Sequence, residues 1–368
     1  MDYRRMPIEV ESPEAFGYEN IDCNLSESSV TDMRLGDLGL DLNNLVLLYG
    51  DHRGKPELRE VIAADLQLKS DDILITSGAA LALFILSTSL LKKDDHLVVA
   101  KTNYATNIET PRAIGAEISY LELKFEEGFR LDLGKLESLI TPKTKFVSLT
   151  YPHNPTGVMI SNDELSALVA MIEKKGTYLL IDETYREMVF GTGLPVAATL
   201  SDRVISISSM SKAFGLPGIR IGWMICKNPK LMELFLAAKE QITITNSVLD
   251  EEIAFQYLKK KSVLFPPVKA SIARNFEILK SFMDNQQILE WVVPQGGCVC
   301  FPRIKMDVPV DVEKFHDILL NQYKTYVGRG HWFEADSRFM RIGYSWDKTE
   351  KLQKGLSNIL VAISQSIR

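Results

Sequence analysis

From about residue 72 onward, short apolar runs rich in β-branched residues alternate with longer stretches whose apolar positions recur at helical spacing. A parallel sheet flanked by helices produces this rhythm, because each crossover between parallel strands takes about a dozen residues or more. The runs 73–76, 96–100, 118–123, 145–150, 178–182, 204–208 and 220–226 are predicted strands. Several are apolar over most of their length, as strands covered on both faces should be. Helical spacing fills most of the intervals, for example 81–91 and 163–175, the latter preceded by Ser161 and Asn162 as caps.

After about residue 245 the pattern changes to long polar helical stretches, a strand pair around 291–303, a helix over 312–322 and a last helix from Lys348. The shift predicts a large α/β domain at 41–255 and a smaller α+β domain at 256–368. The strand-poor residues 1–40 are assigned to an arm that joins the small domain. A chain of 368 residues, 46% of them hydrophobic, has enough apolar material for two such cores.

A formal net charge of −6 gives no footprint for gripping nucleic acid or an anionic membrane surface, so neither is an expected partner. The cysteines, Cys23, Cys226, Cys298 and Cys300, are scattered, and the C-x-C pair matches no common zinc spacing. They read as small buried side chains in a reducing compartment, with no metal site. The N-terminus is broken by acids, and no apolar run approaches the ~20 residues of a membrane span. A soluble, cytoplasmic protein is expected.

Open parallel sheets bind ligands outside the carboxyl ends of their strands, which directs attention to the residues that end each run. The first run leads into Ser77-Gly78-Ala79-Ala80 and a helix, a turn whose free amides could hold a phosphate dianion, although packing alone can also require glycine there. The run 145–150 ends in Tyr151-Pro152-His153-Asn154-Pro155-Thr156-Gly157, and the run 178–182 in Asp182-Glu183-Thr184-Tyr185. By themselves these read as a structural loop and a helix cap. The run 204–208 leads into Ser209-Met210-Ser211-Lys212-Ala213-Phe214-Gly215-Leu216-Pro217-Gly218-Ile219-Arg220. A lysine among small and apolar neighbours is poorly explained as a solvated charge, and desolvation would make it a nucleophile or base.

Taken together, SGA, YPHNPTG, DETY and SMSKAFGLPGIRIGW resemble the fold type I pyridoxal phosphate enzymes, specifically the aminotransferase class I and II family. The resemblance runs from Tyr49 nearly to the end of the chain. It implies an α/β fold, a mostly parallel seven-stranded sheet between helices with a smaller α+β C-terminal domain, and pyridoxal 5'-phosphate as cofactor. It implies further that Lys212 forms the Schiff base and carries protons, while Asp182 pairs with the pyridine nitrogen. Asn154 and Tyr185 would hydrogen-bond the ring oxygen, and Tyr104, after Lys101-Thr102-Asn103, would stack on the ring. Arg220, Ser209, Ser211 and the amides of Gly78 and Ala79 would hold the phosphate. Tyr49, in a Y-x-x-x-x-G-x-x-x-L-R segment, would reach the phosphate of the neighbouring subunit, which makes a homodimer with shared active sites. Arg341, in Arg338-Phe339-Met340-Arg341-Ile342-Gly343-Tyr344-Ser345, would fork onto the substrate's α-carboxylate, with Asn154 beside it and Arg338 facing solvent. The resemblance also implies a cis peptide before Pro155.

Two segments depart from the family pattern. Asn24-Leu25-Ser26-Glu27-Ser28-Ser29 stands where a Gly-x-Pro turn is common, and Val327-Gly328-Arg329-Gly330-His331-Trp332-Phe333 replaces V-x-P-G-x-x-F. Both bear on the identity of the substrate; Arg329 reads as an exposed loop arginine that could otherwise meet an anionic side chain. The implied reaction is transfer of an amino group between an L-amino acid and a 2-oxo acid by a ping-pong mechanism. A lyase or cyclising enzyme acting on an amino acid comes second, because the same cofactor residues serve several fates of the Cα carbanion. A cofactor-binding sensor without catalysis is a remote third, since it would need an added DNA-binding segment and a basic face.

Overall fold

In the computed structural model, which describes residues 1–368, the first strand in the chain is β1 (Cys23–Leu25). The long sheet follows from β2 (Ile73–Thr76), β3 (His96–Lys101), β4 (Glu117–Glu122), β5 (Thr144–Thr150), β6 (Tyr178–Asp182), β7 (Val204–Ser209) and β8 (Gly222–Cys226). These seven lie in the order β2-β8-β7-β6-β5-β3-β4, all parallel to their neighbours except β8, which runs antiparallel to β7 and β2. The chain order reverses at β3, which sits between β4 and β5, and the parallel strands deliver their carboxyl ends to one edge.

Neighbouring residues of one strand feed different cores. Val98, Val147, Leu149, Leu179 and Ile181 pack with Leu165, Leu168 and Ile172 of the helix Asn162–Lys175. Leu97, Val99, Phe146, Leu180, Ile205 and Ile207 pack instead with Leu83 and Leu86 of the helix Gly78–Leu90 and Phe235 of the helix Pro229–Ile242. Both faces are covered, so apolar residues stand on both sides of these strands; each buried aliphatic side chain contributes about 1.5–3 kcal/mol. The helix Asn162–Lys175 starts at a capping box: Ser161 Oγ accepts from the Glu164 amide while the Glu164 carboxylate accepts from the Ser161 amide.

Most predicted boundaries fall within one residue, and two shift further. The strand expected from Arg220 starts at Gly222, because Pro217–Ile219 forms a 3-10 turn and Arg220 is left-handed at φ 50°. The helix expected from Leu81 starts at Gly78, taking in the small residues read as a turn. The expected strand pair around 291–303 resolves into β9 (Leu289–Glu290), β10 (Val299–Cys300) and β11 (Arg303–Ile304), with β9 paired to β11. β10 instead borders β13 (Met340–Gly343), which pairs with β12 (Thr325–Arg329), and β12 takes β1 as a parallel neighbour. The N-terminal segment is therefore a strand of this second sheet. Leu25, Ile342 and Leu356 share one apolar cluster with Ile73, Ile75 and Ile225, so a continuous core joins the second sheet to the edge of the first. No helix is long and apolar enough to cross a membrane.

Candidate active site

A cavity of about 360 Å³ opens at the carboxyl edge of the long sheet. β6 supplies Asp182 and, just beyond its end, Tyr185; β7 supplies Ser209 and is followed by Ser211 and Lys212. Asn154 enters from the turn after β5, Tyr104 from the segment after β3, Ala79 from the start of the helix Gly78–Leu90, and Arg220 from the loop before β8. Arg341 reaches in from β13 of the second sheet. Tyr49 lies outside this cavity and is 80% exposed. Arg338 is turned away, donating to the carbonyls of Lys305 and Val308, and Arg329 ends β12 in an ion pair with Glu313 at 3.3 Å rather than lining the cavity.

Burial lowers the Lys212 amine below the ordinary lysine range; Glu27 opposes this, while Arg341 and Arg220 add to it. Burial raises Asp182, against hydrogen bonds from Thr184 and the attraction of Lys212. Both Thr184 bonds, one from the amide at 3.0 Å, land on Oδ1, leaving Oδ2 free of protein donors. The buried Tyr185 hydroxyl and the Nε of the buried Arg341 have no hydrogen-bond partner. Arg341 donates from Nη1 to Asn154 Oδ1 at 3.2 Å and from Nη2 to the Ser26 carbonyl at 2.6 Å, but no carboxylate lies within ion-pair distance. A buried cation without a counter-ion is costly and marks a place for an anion. The peptide bond between Asn154 and Pro155 is cis.

At the other end, Arg220 donates from Nη1 to Ser211 Oγ at 3.4 Å and Ser211 donates its amide to Ser209 Oγ at 3.4 Å. Gly78 has φ 77°, and a Cβ there would stand 2.6 Å from Arg220 Nη2. A Cβ at Gly222 would stand 2.6 Å from the Gly78 carbonyl carbon, so only glycine lets β8 approach the helix start this closely. The combination of an arginine, two hydroxyls and the amides of a helix N-terminus has the chemistry of a phosphate dianion site.

Sequence reasoning gave no role to Thr184, which orients Asp182, or to Glu27, Tyr18 and Trp346, which also line the cavity. Glu27 stands in the departing N-terminal segment. A Cβ at Gly343 would collide with its carbonyl oxygen, so that glycine is the one local sign that the segment crosses β13.

A family model for aminotransferase class I and II matches residues 30–359. The chain belongs to the aminotransferase class I and II family. Capreomycidine synthase of Streptomyces vinaceus is 28% identical over 349 residues, spanning 91% of this chain and 88% of that protein. Among solved structures, a PLP-dependent aminotransferase from Streptococcus suis superimposes with a TM-score of 0.92 at 26% identity over 100% of both chains. The PLP-dependent cyclase OrfR does so with a TM-score of 0.86 at 25% identity over 99% of both. The family's cofactor is pyridoxal phosphate, and the cavity fits it. The cradle of Gly78, Ala79, Ser209, Ser211 and Arg220 could hold its phosphate, Asp182 Oδ2 could take its ring nitrogen, and the unpartnered Tyr185 hydroxyl with Asn154 could meet its ring oxygen. The amine of Lys212 lines the same space, where it could bond covalently to the cofactor.

Proposed function

We propose that this class I and II aminotransferase family member moves an amino group between an L-amino acid and a 2-oxo acid, working in the cytoplasm as a homodimer with shared active sites. The observation that carries this reading is the placing of a desolvated lysine, an acid with one free oxygen and a buried, unpaired arginine around one cavity. When bound, pyridoxal phosphate supplies an electron sink for the pair left at Cα after a substrate loses its proton. Asp182 keeps a proton at the ring nitrogen, since a carboxylate in hydrogen-bond reach favours the charged form. Arg341 forks onto the α-carboxylate and so fixes Cα beside Lys212. Lys212 would tether the cofactor, and its Nζ, when free, would take the proton from Cα. Tyr104, which lines the same cavity, would stack on the ring.

Replacing Lys212 with alanine removes the tether, so the visible or near-ultraviolet absorption of the lysine-bound cofactor is expected to vanish while the melting temperature of the apoprotein is retained. A band that persists in Lys212→Ala would reject the assignment. Transamination itself is tested by following a nitrogen label from an amino acid panel into added 2-oxo acids.

The likeness to capreomycidine synthase and to the cyclase OrfR supports a second reading, cyclisation or elimination on an amino acid. Product formed without any added 2-oxo acid, with the label retained or released as ammonia, would favour it.

A further inference from the structure

The outer half of the cavity is acidic. Glu9, Glu14, Glu27 and Asp32 line it, and its only cationic side chains are Lys212, Arg220 and Arg341, each already given to the cofactor or the α-carboxylate. None of these four acids forms an ion pair within the protein. Glu27 is the deepest of them. Its pKa is raised by burial and lowered by the attraction of Lys212 and Arg341, so it faces both. Its hydrogen bonds, from Tyr18 Oη at 3.3 Å and Asn24 Nδ2 at 3.5 Å, both fall on Oε1, leaving Oε2 free of protein donors. Above it Tyr18 and Trp346 stack with centroids 5.8 Å apart and planes 19° from parallel, and Trp346 Nε1 donates to Asp32 Oδ2 at 3.0 Å. Carboxylates held beside a pair of aromatic rings form the surroundings that attract a guanidinium or ammonium group.

The unpartnered Nε of Arg341 independently calls for an anion in the same cavity. A molecule that satisfies both ends carries a carboxylate at one terminus and a cation at the other. We propose that the amino acid substrate has a cationic side chain, held by Glu27 with Asp32 and Glu14 against the Tyr18–Trp346 stack, while Arg341 holds its α-carboxylate. The proposal deepens the reading of this cavity as an amino acid site and rests on it. Glu27 and Asp32 are then specificity-determining residues, and an anionic side chain finds no cation on this chain to meet it.

Calorimetry on the holoenzyme tests this without turnover, using analogues that lack the α-amino group: desamino-arginine, desamino-lysine, hexanoate and glutarate. At least one of the two cationic analogues is expected to bind tenfold or more tighter than hexanoate, and glutarate weakest; the guanidinium and ammonium arms show which cation fits better. The preference should shrink as ionic strength rises. Glu27→Gln is expected to bring the cationic analogue to the hexanoate affinity with the cofactor absorbance intact, and Asp32→Asn, at an exposed rim position, to take away part of the preference. Hexanoate binding as tightly as both cationic analogues, or a preference that survives in the Glu27→Gln, Asp32→Asn double variant, overturns the proposal. Failure of the underlying reading looks different: then Arg341→Ala leaves the affinity of all four carboxylates unchanged.

Discussion

Asp182 receives its protein hydrogen bonds on Oδ1 alone, from the amide and hydroxyl of a residue two positions later, and this tether aims Oδ2 into the cavity. Its place at the end of β6 and its burial make the carboxylate costly unless a positive charge meets it. Asp182→Asn preserves shape and the Thr184 bonds but not the charge. It is expected to retain the cofactor while kcat falls on the order of a hundredfold, as losing one preorganised electrostatic contact does; wild-type turnover at full cofactor occupancy would refute the role. Arg341 makes a parallel case from the second sheet. Two charge-assisted bonds to a carboxylate contribute about 3 kcal/mol, so Arg341→Ala should raise KM roughly a hundredfold for every α-amino acid. The truncation also leaves Asn154 Oδ1 and the Ser26 carbonyl without their donor, so a melting curve must accompany the kinetics. KM values unchanged across a substrate panel would show that the carboxylate is held elsewhere.

The end of β6 carries a second acid with a separate consequence for the stability of the sheet. Glu183 is buried, accepts from the Ala197 amide at 2.8 Å, and is pushed by burial from 4.5 up to about 7. The folded chain therefore holds a proton there that the unfolded chain has released between those values, so stability falls as pH rises from about 4.5 to about 7 and is level above. A shift of that size corresponds to roughly 3 kcal/mol. Glu183→Gln keeps the acceptor and removes the titration, so its melting temperature should exceed that of the wild type at pH 8 and converge with it near pH 4; parallel curves would show that Glu183 does not titrate in this range. The strands around these acids were legible because their largely apolar runs are long enough to carry a pattern. β9, β10 and β11 are two residues each and have no period to read. The same contrast runs through the site. Lys212, Asp182, Asn154 and Arg220 follow strand ends inside turns of glycine, proline and small residues, where sheet geometry directs the search. Glu27, Tyr18 and Trp346 come from irregular segments that meet only because β1 pairs with β12 and Gly343 lets residue 27 cross β13, contacts between positions more than 300 residues apart in sequence.

At the scale of the whole molecule, the segment before the helix Pro56–Leu66 exposes Val46, Leu47, Leu48 and Tyr49 consecutively, at 67%, 78%, 62% and 80%. Four large apolar side chains in a row on a surface mark an interaction face, and the proposed homodimer would cover it with a second copy. In such a two-fold dimer this patch would meet the partner subunit, and Tyr49 would serve the neighbour's phosphate cradle rather than its own. The distinction is testable with two crippled chains. In a hybrid of a Lys212→Ala subunit and a Tyr49→Ala subunit, one site lacks both groups. The other combines Lys212 of the second chain with Tyr49 of the first and is complete. Random reassortment of equal amounts puts half the dimers in this hybrid form, so about a quarter of all sites should be restored. Turnover measured after mixing, unfolding and refolding the two variants together should then rise above that of either alone. If Tyr49 serves its own chain's site, every site with Lys212 lacks Tyr49 and mixing recovers nothing. If the chain is monomeric, as sedimentation would reveal, mixing also recovers nothing and the shared-site dimer is excluded.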